Sequence, residues 1–295
     1  MKEIVCASEI FEEDIEGLFG DSPIAHLPWP TLDKAVGGVR RSKLTILAAE
    51  SGVGKTSWAN QLKTSLAKQG VHVIYASFEP ETRDLTAKSL SSLTHGRLKV
   101  SEIPQALRSP QEGQEIAAAV NEYGAILDRI HYIKDEKLTV TGLQVALRHF
   151  MSGIGRQDIP VLIVDYLQKI SFGKDGSYDE KAQAKTAVYG LRSIASEYGI
   201  PVYAISSISR TSYGKENVDL GFLAGSQAIE YNADFVLRLS VDGKGKERAS
   251  NTAKPIRPTT LAIVKGRCDT WVSVKLDFYV GYATFVERND SEVSE

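Results

Sequence analysis

Apolar residues in this chain come in short runs, and stretches of helical period separate them. Leu44–Ala48, His72–Phe78, Ile130–Ile133, Val161–Val164 and Val202–Ser206 are nearly unbroken apolar runs. Runs of that length suit strands buried on both faces of a parallel sheet. Between them apolar residues recur at a spacing near 3.6, as in Trp58, Leu62 and Leu66, or Leu143, Leu147, Phe150 and Met151. A third set, Val188, Leu191, Ile194, Ala195 and Tyr198, stops at Gly199 before Pro201. Strands alternating with helices predict an α/β fold with a mostly parallel central sheet flanked by helices.

The tail has another rhythm. Phe235–Leu239, Thr260–Val264, Val272–Leu276 and Ala283–Val286 succeed one another without long helices, which predicts antiparallel hairpin strands added at the C-terminal edge of the sheet. The stretch DGKGKERASNTAKPIRP, residues 242–258, is punctuated by glycine and proline and reads as a mobile loop. At the other end Ser8–Phe19 is a short amphipathic helix candidate, set apart by DSPIAHLPWP. The expected organisation is an arm over 1–28, one domain over 29–288 and a disordered tail over 289–295.

Composition narrows the classes. A chain of 295 residues with 42% hydrophobic content can build a proper core. With 35 Lys+Arg against 37 Asp+Glu there is no global positive field, so any contact with nucleic acid must be local. Cys6 and Cys268 are too few for a disulfide framework, which points to a reducing compartment, the cytoplasm by default. No run approaches the roughly 18 apolar residues of a membrane span, and no membrane partner is expected.

The chemistry centres on AAESGVGKTS, which comes directly after the run LTIL. Strand, glycine-rich loop and helix make a phosphate-binding site, because backbone N–H groups and a helix N-terminus face the anion together. Ala49, Glu50, Ser51, Gly52, Val53, Gly54, Lys55, Thr56 and Ser57 are the candidate nucleotide-binding residues. Lys55 would reach the β and γ phosphates of ATP, and Thr56 would ligate Mg2+. Ala49 stands where the pattern usually has glycine, which is harmless if its backbone is extended or helical.

Two carboxylates complete this reading. Asp165 ends the run VLIVD at the edge where open α/β sheets bind ligands, so it would serve Mg2+. A carboxylate there could equally cap a helix, and the phosphate loop tips the balance. In VIYASFEPE, Glu79 falls at the same edge and suits a base that activates water, with Glu81 as its competitor. Near the end IVKGR carries Lys265 and Arg267, two apart and so on one face. They are surplus to one site unless they serve a neighbouring subunit's nucleotide, or they simply guard a strand edge.

In order, TLDKAVGGVRRSKLTILAAESGVGKT, YASFEPE, HYIKDEKLTVTGL, VLIVDYLQKI, GIPVYAISSISR, GSQAIEYNADFVL and IVKGR resemble the RecA-like motor domain of DnaB-type hexameric replicative helicases, over about Leu32 to Phe285. That family's loop also often opens with alanine. The resemblance implies a RecA-like ATPase domain over 29–288, a hexameric ring, Glu79 as the catalytic glutamate, Thr56 and Asp165 on Mg2+, and Lys265 and Arg267 reaching the adjacent subunit. It also makes Ser8–Phe19 similar to the linker helix that docks on the next subunit.

Single-stranded DNA would pass two loops, Ser171–Ala184 with Lys174 and Lys181, and Ser209–Gly225 with Arg210 and Lys215. Two departures stand out. Ser207 replaces a glutamine thought to sense nucleotide state, and FLAGSQ, Phe222–Gln227, lacks the charged members of a DNA-contacting loop. The expectation is an ATP-dependent DNA helicase of replication, with replication proteins as further partners. The alternative is a RecA-like ATPase that switches a partner or forms a filament without unwinding.

Overall fold

The computed structural model describes Cys6 and residues 22–78, 81–109, 113–135, 137–155, 157–170, 180–208, 226–266 and 272–288. Among these residues the strands are β1 (Leu44–Ala49), β2 (Val73–Ser77), β3 (Ile130–Ile133), β4 (Val161–Asp165), β5 (Val202–Ser207), β6 (Phe235–Val241), β7 (Ile256–Lys265), β8 (Ser273–Tyr279) and β9 (Thr284–Glu287). They form one sheet in the order β3-β2-β4-β5-β1-β6-β7-β8-β9. From β3 to β6 neighbours are parallel, and from β6 to β9 they are antiparallel. Every expected strand is present, and the hairpins do extend the sheet at the C-terminal edge.

Unbroken apolar runs suit this sheet because both faces are covered. Along β1, Leu44, Ile46 and Ala48 enter one core while Leu47 and Ala49 enter the other. On β4, Leu162 and Val164 divide from Val161 and Ile163 in the same way. Period-two geometry thus splits one sequence run between two cores.

The first core is roofed by α6 (Val140–Gly153) and α7 (Glu180–Tyr198), after α1 (Pro30–Val36), α2 (Lys55–Lys68), α3 (Thr82–Leu93), α4 (Ile103–Ala106) and α5 (Gly113–Gly124) in chain order. Helices α1 and α2 cover the second core, where Trp29 stacks on Trp58 with ring centroids 4.7 Å apart. Both indoles are fully buried. Truncating either to alanine removes about 3–5 kcal/mol, a large share of the ~5–15 kcal/mol that stabilises a domain.

The remaining helices are α8 (Ser226–Asn232) and α9 (Gly245–Ala253). Helix α9 and the first residues of β7 occupy the stretch expected as a mobile loop. The glycines there turn the chain rather than loosen it, with Gly243 at φ 91° and Gly245 at φ 48°. Lys246, Glu247, Arg248 and Ala249 then continue as good helix formers. Asn251 is buried and donates from Nδ2 to Asp242 O at 3.0 Å. The other expected loop is shorter than 171–184, since α7 already begins at Glu180 and Ala184 is fully buried.

Helix α2 carries a buried lysine two turns beyond the phosphate loop. Lys63 is fully buried, and its Nζ donates to Asn60 Oδ1 at 2.8 Å and Tyr132 Oη at 2.9 Å. These partners are neutral, so burial pushes its pKa down from 10.5 to about 7. Between those values the unfolded chain keeps this proton and the folded chain sheds it, so stability from Lys63 rises with pH across that window. Raising the pH through neutrality should therefore stabilise the wild type relative to a Lys63→Met variant, measured by urea unfolding at each pH. A difference that does not move with pH would mean that the ammonium stays charged inside the fold.

Candidate active site

The phosphate loop leaves the sheet at Ala49, which is still strand. Ala49 pairs with Ser207 of β5 and Leu239 of β6 and is fully buried. An extended residue has no need of glycine, so the alanine is compatible with the loop. The curl comes later, at Gly52 (φ 78°) and Gly54 (φ 110°), both in the range that side chains resist. Gly54 answers a second demand as well. A Cβ there would lie 2.8 Å from the rings of Phe278 and Phe285, which stack on each other beneath the loop.

Lys55 opens α2 and folds back over the loop. Its Nζ donates to Ala49 O at 3.0 Å and Glu50 O at 2.8 Å. Burial lowers its pKa, and the carboxylates of Asp165 and Glu50 oppose that shift. Asp165 lies at the end of β4, 2% exposed, and accepts from Tyr75 Oη at 2.9 Å. Burial pushes its carboxyl up. The Tyr75 and Thr56 hydroxyls and the ammoniums of Lys88 and Lys55 pull it back toward ionisation. The peptide bond after Asp165 is cis.

These groups border a cleft of about 710 Å³. Ser51, Gly52, Gly54, Lys55, Thr56 and Ser57 form its floor, with Lys88, Asp165 and Ser207 around them and Arg257 at the rim. Val100, Phe278, Val280 and Ala283 add an apolar wall. Two ammoniums thus act on one buried carboxylate and Arg257 adds a third cation to the lining, a charge balance that invites a polyphosphate. The apolar wall offers a base or ribose somewhere dry to rest.

A magnesium ion fits this donor set. Thr56 and Asp165 offer hard oxygen ligands in one cleft, the kind that Mg2+ takes along with phosphate oxygens and water. Among the described residues no group of three or more His, Cys, Asp or Glu could hold a metal by itself.

Sequence reasoning missed the braces. Lys88 reaches the cleft from α3, whose weak periodicity gave no sign of it. Arg257 on β7 donates from Nη1 to Gly52 O at 2.9 Å, across 205 positions of sequence. Arg248 on α9 pairs with Glu50 at 2.7 Å. Each of these contacts comes from the hairpin edge or an unread helix, and only tertiary structure reveals them.

A family model for the DnaB-like helicase C terminal domain matches residues 28–287. The chain belongs to that family. It is 26% identical over 274 residues to the replicative DNA helicase DnaB of Geobacillus stearothermophilus, covering 90% of this chain and 57% of that protein. With the replicative DNA helicase DnaB of Treponema pallidum (strain Nichols) it shares 26% identity over 263 residues, 86% of this chain and 54% of that protein. The chain therefore spans a little over half the length of these curated relatives. A solved structure of a DnaB-like replicative helicase, described together with its interactions with primase, superimposes with a TM-score of 0.80 at 20% identity, covering 98% of this chain and 68% of that one. The RecA-like fold of DnaB ATPase domains is thus shared. No helix among the described residues is long and apolar enough to cross a membrane.

Several expected site residues of this DnaB-like domain, Glu79, Arg267, Lys174, Arg210 and Lys215, lie outside the described residues, as does the Ser8–Phe19 candidate helix. Lys181 falls on the first turn of α7. Phe78, immediately before Glu79, donates its backbone N–H to Asp165 O at 3.1 Å. Lys265 caps a helix of its own chain, donating to Glu230 O and, at 2.6 Å, to Ala233 O at the C-terminal end of α8.

Two substitutions separate the roles within the loop. Ala49→Gly should leave nucleotide affinity unchanged, because the position is strand. Gly54→Ala should abolish binding of a fluorescent ATP analogue, since both its backbone angle and the two rings exclude a methyl group. Equal affinities for the two variants would contradict this division.

Proposed function

We propose that this domain is an ATP-driven motor on single-stranded DNA, a DnaB-like helicase of DNA replication that works as a homo-oligomeric ring, hexameric as in its family. One arrangement carries the reading. A left-handed glycine loop, Lys55, Thr56 and buried Asp165 meet in a single cleft in a chain that the DnaB-like family model spans almost entirely.

In this reading the loop amides and the start of α2 cradle the triphosphate of ATP. Lys55 exchanges its two carbonyl partners for phosphate oxygens, a charge-assisted and therefore stronger set of bonds. Thr56 and Asp165 hold Mg2+, which when bound neutralises charge on the phosphates. Burial pushes the Asp165 carboxyl up, and Lys88 pulls it back toward ionisation at the same end of the cleft. Glu79 takes the proton of the attacking water, and it comes directly after a residue whose N–H is bonded to the Asp165 backbone.

The second subunit enters through Lys265 and Arg267. Cations supplied in trans raise phosphoryl-transfer rates by ~10^3–10^5 elsewhere. For Lys265 this requires release from the carbonyls that close α8. Lys174, Lys181, Arg210 and Lys215 are proposed as phosphate contacts for the strand in the channel. Their segments lead out from the ends of β4 and β5, neighbours in the sheet, at the edge where ATP would sit. A fork protein would find further replication proteins as partners.

A second reading keeps the ATPase and removes the unwinding. Ser207 in place of glutamine and the uncharged FLAGSQ segment favour a switch or filament of RecA type. Forked DNA separates the two. The motor should show DNA-stimulated phosphate release and strand displacement, both lost in Lys55→Ala. Hydrolysis indifferent to DNA, with no displacement, would favour the second reading.

Arrangement in trans has its own test. Lys55→Ala and Arg267→Ala subunits, each inactive alone, should recover part of the ATPase when mixed, because a sound Lys55 then meets a sound Arg267 at shared interfaces. Absence of recovery at every mixing ratio would place Arg267 outside the neighbour's site.

A further inference from the structure

Gln168 stands three residues after Asp165, in the 3-10 turn Leu167–Lys169, and turns its amide toward the end of β5. Nε2 donates to Ser206 Oγ at 3.0 Å and to Ser207 O at 3.3 Å, while Oε1 lies 3.5 Å from the Ser207 N–H. Ser206 is fully buried. A primary amide offers two donors and an acceptor, and here they all address two consecutive residues.

The strand end held in this way is also tied to the phosphate loop. Ser207 lines the cleft with Thr56 and Asp165. The next N–H, that of Ile208, donates to Ala49 O at 3.1 Å. That carbonyl also accepts from Lys55 Nζ at 3.0 Å. The end of β5 is therefore bonded on one side to a carbonyl that holds the phosphate lysine, and on the other to the turn leaving the Asp165 strand.

We infer that Gln168 is a positioning residue of the nucleotide site: it clamps the end of β5 so that Ser207 faces the terminal phosphate, and it makes that placement depend on Lys55 and Asp165. The inference rests on the ATP-hydrolysing reading above. When phosphate draws Lys55 away, Ala49 O keeps only the Ile208 donor and the strand end gains freedom. The Gln168 bonds then decide where Ser207 comes to rest. Since 209–225 follows β5 in the chain, the clamp holds the residues that come just before the segment proposed for DNA.

Two variants test this. Gln168→Leu keeps the bulk and removes every polar contact, and Ser206→Ala removes one buried hydroxyl with little risk to folding. Steady-state hydrolysis of MgATP by the full chain is measured with and without single-stranded DNA, together with affinity for a fluorescent ATP analogue and the melting temperature.

A misplaced group costs up to ~100-fold in rate, so Gln168→Leu should lower kcat by ~10- to 100-fold. KM should stay within about twofold, because the loop amides and Lys55 that would bind the nucleotide are untouched and only the placement of Ser207 is lost. Stimulation by DNA should shrink as well. Ser206→Ala should act in the same direction more weakly, and the double variant should be no worse than Gln168→Leu, since the contact that Ser206→Ala removes is already lost in Gln168→Leu.

Unchanged kcat in both variants would overturn the inference. So would kcat, affinity and melting temperature falling together, the mark of a merely structural role. Failure of the wild type to hydrolyse MgATP would instead sink the parent reading and this inference with it.

Discussion

A carboxylate taken out of water has to be satisfied by its surroundings, and Asp165 places that demand at the centre of the molecule. Tyr75 from β2, Thr56 from α2 and the ammoniums of Lys55 and Lys88 answer it from three different elements. Each gives part of what keeps the carboxylate ionised against burial. The middle of β2, the end of β4, the start of α2 and the middle of α3 therefore converge on one point. The cations exceed what one carboxylate needs, and the excess is the attraction available to a triphosphate.

The antiparallel edge belongs to the same construction. Phe278 and Phe285 form the bed on which Gly54 lies, and a loop without a Cβ there can sink low enough for Lys55 to fold over it. Arg257 holds Gly52 O from β7, and Arg248 holds Glu50 from α9. The phosphate loop is thus gripped from the side opposite the Asp165 strand. An arginine bonded to a backbone carbonyl keeps further guanidinium donors that can face an anion, so the brace can also serve as a contact.

The strands and the phosphate loop were legible because their causes are local. Apolar runs and a glycine pair act over a few residues, and Asp165 could be placed from the run that precedes it. The stretch 242–258 was misread because Gly243 and Gly245 carry the same letters whether they loosen a loop or turn a strand into a helix. Part of what holds α9 there is Glu50 meeting Arg248, far away in sequence. Lys88, Arg257 and Gln168 were invisible for the same reason, since their roles exist only between elements. Lys265 shows the limit from the other side: strand period placed it correctly, but nothing local announced that its ammonium closes α8.

That closure bears on how a ring would pass information between subunits. Lys265 cannot bond Glu230 O and Ala233 O and serve a neighbour's phosphate at once. Phosphate is the stronger acceptor, being charged, whereas carbonyls at a helix end offer partial charge only. A neighbouring triphosphate would thus draw the lysine off and leave the end of α8 short of donors. Helix α8 begins at Ser226, directly after the segment proposed for DNA, so in such a ring both flanks of that segment would answer to a nucleotide. In the proposed ring Gln168 and β5 would link its start to the chain's own site, and Lys265 would link its end to the neighbour's. Such a segment would change state with two nucleotides rather than one, which is the condition for subunits to step in sequence around a ring instead of firing independently.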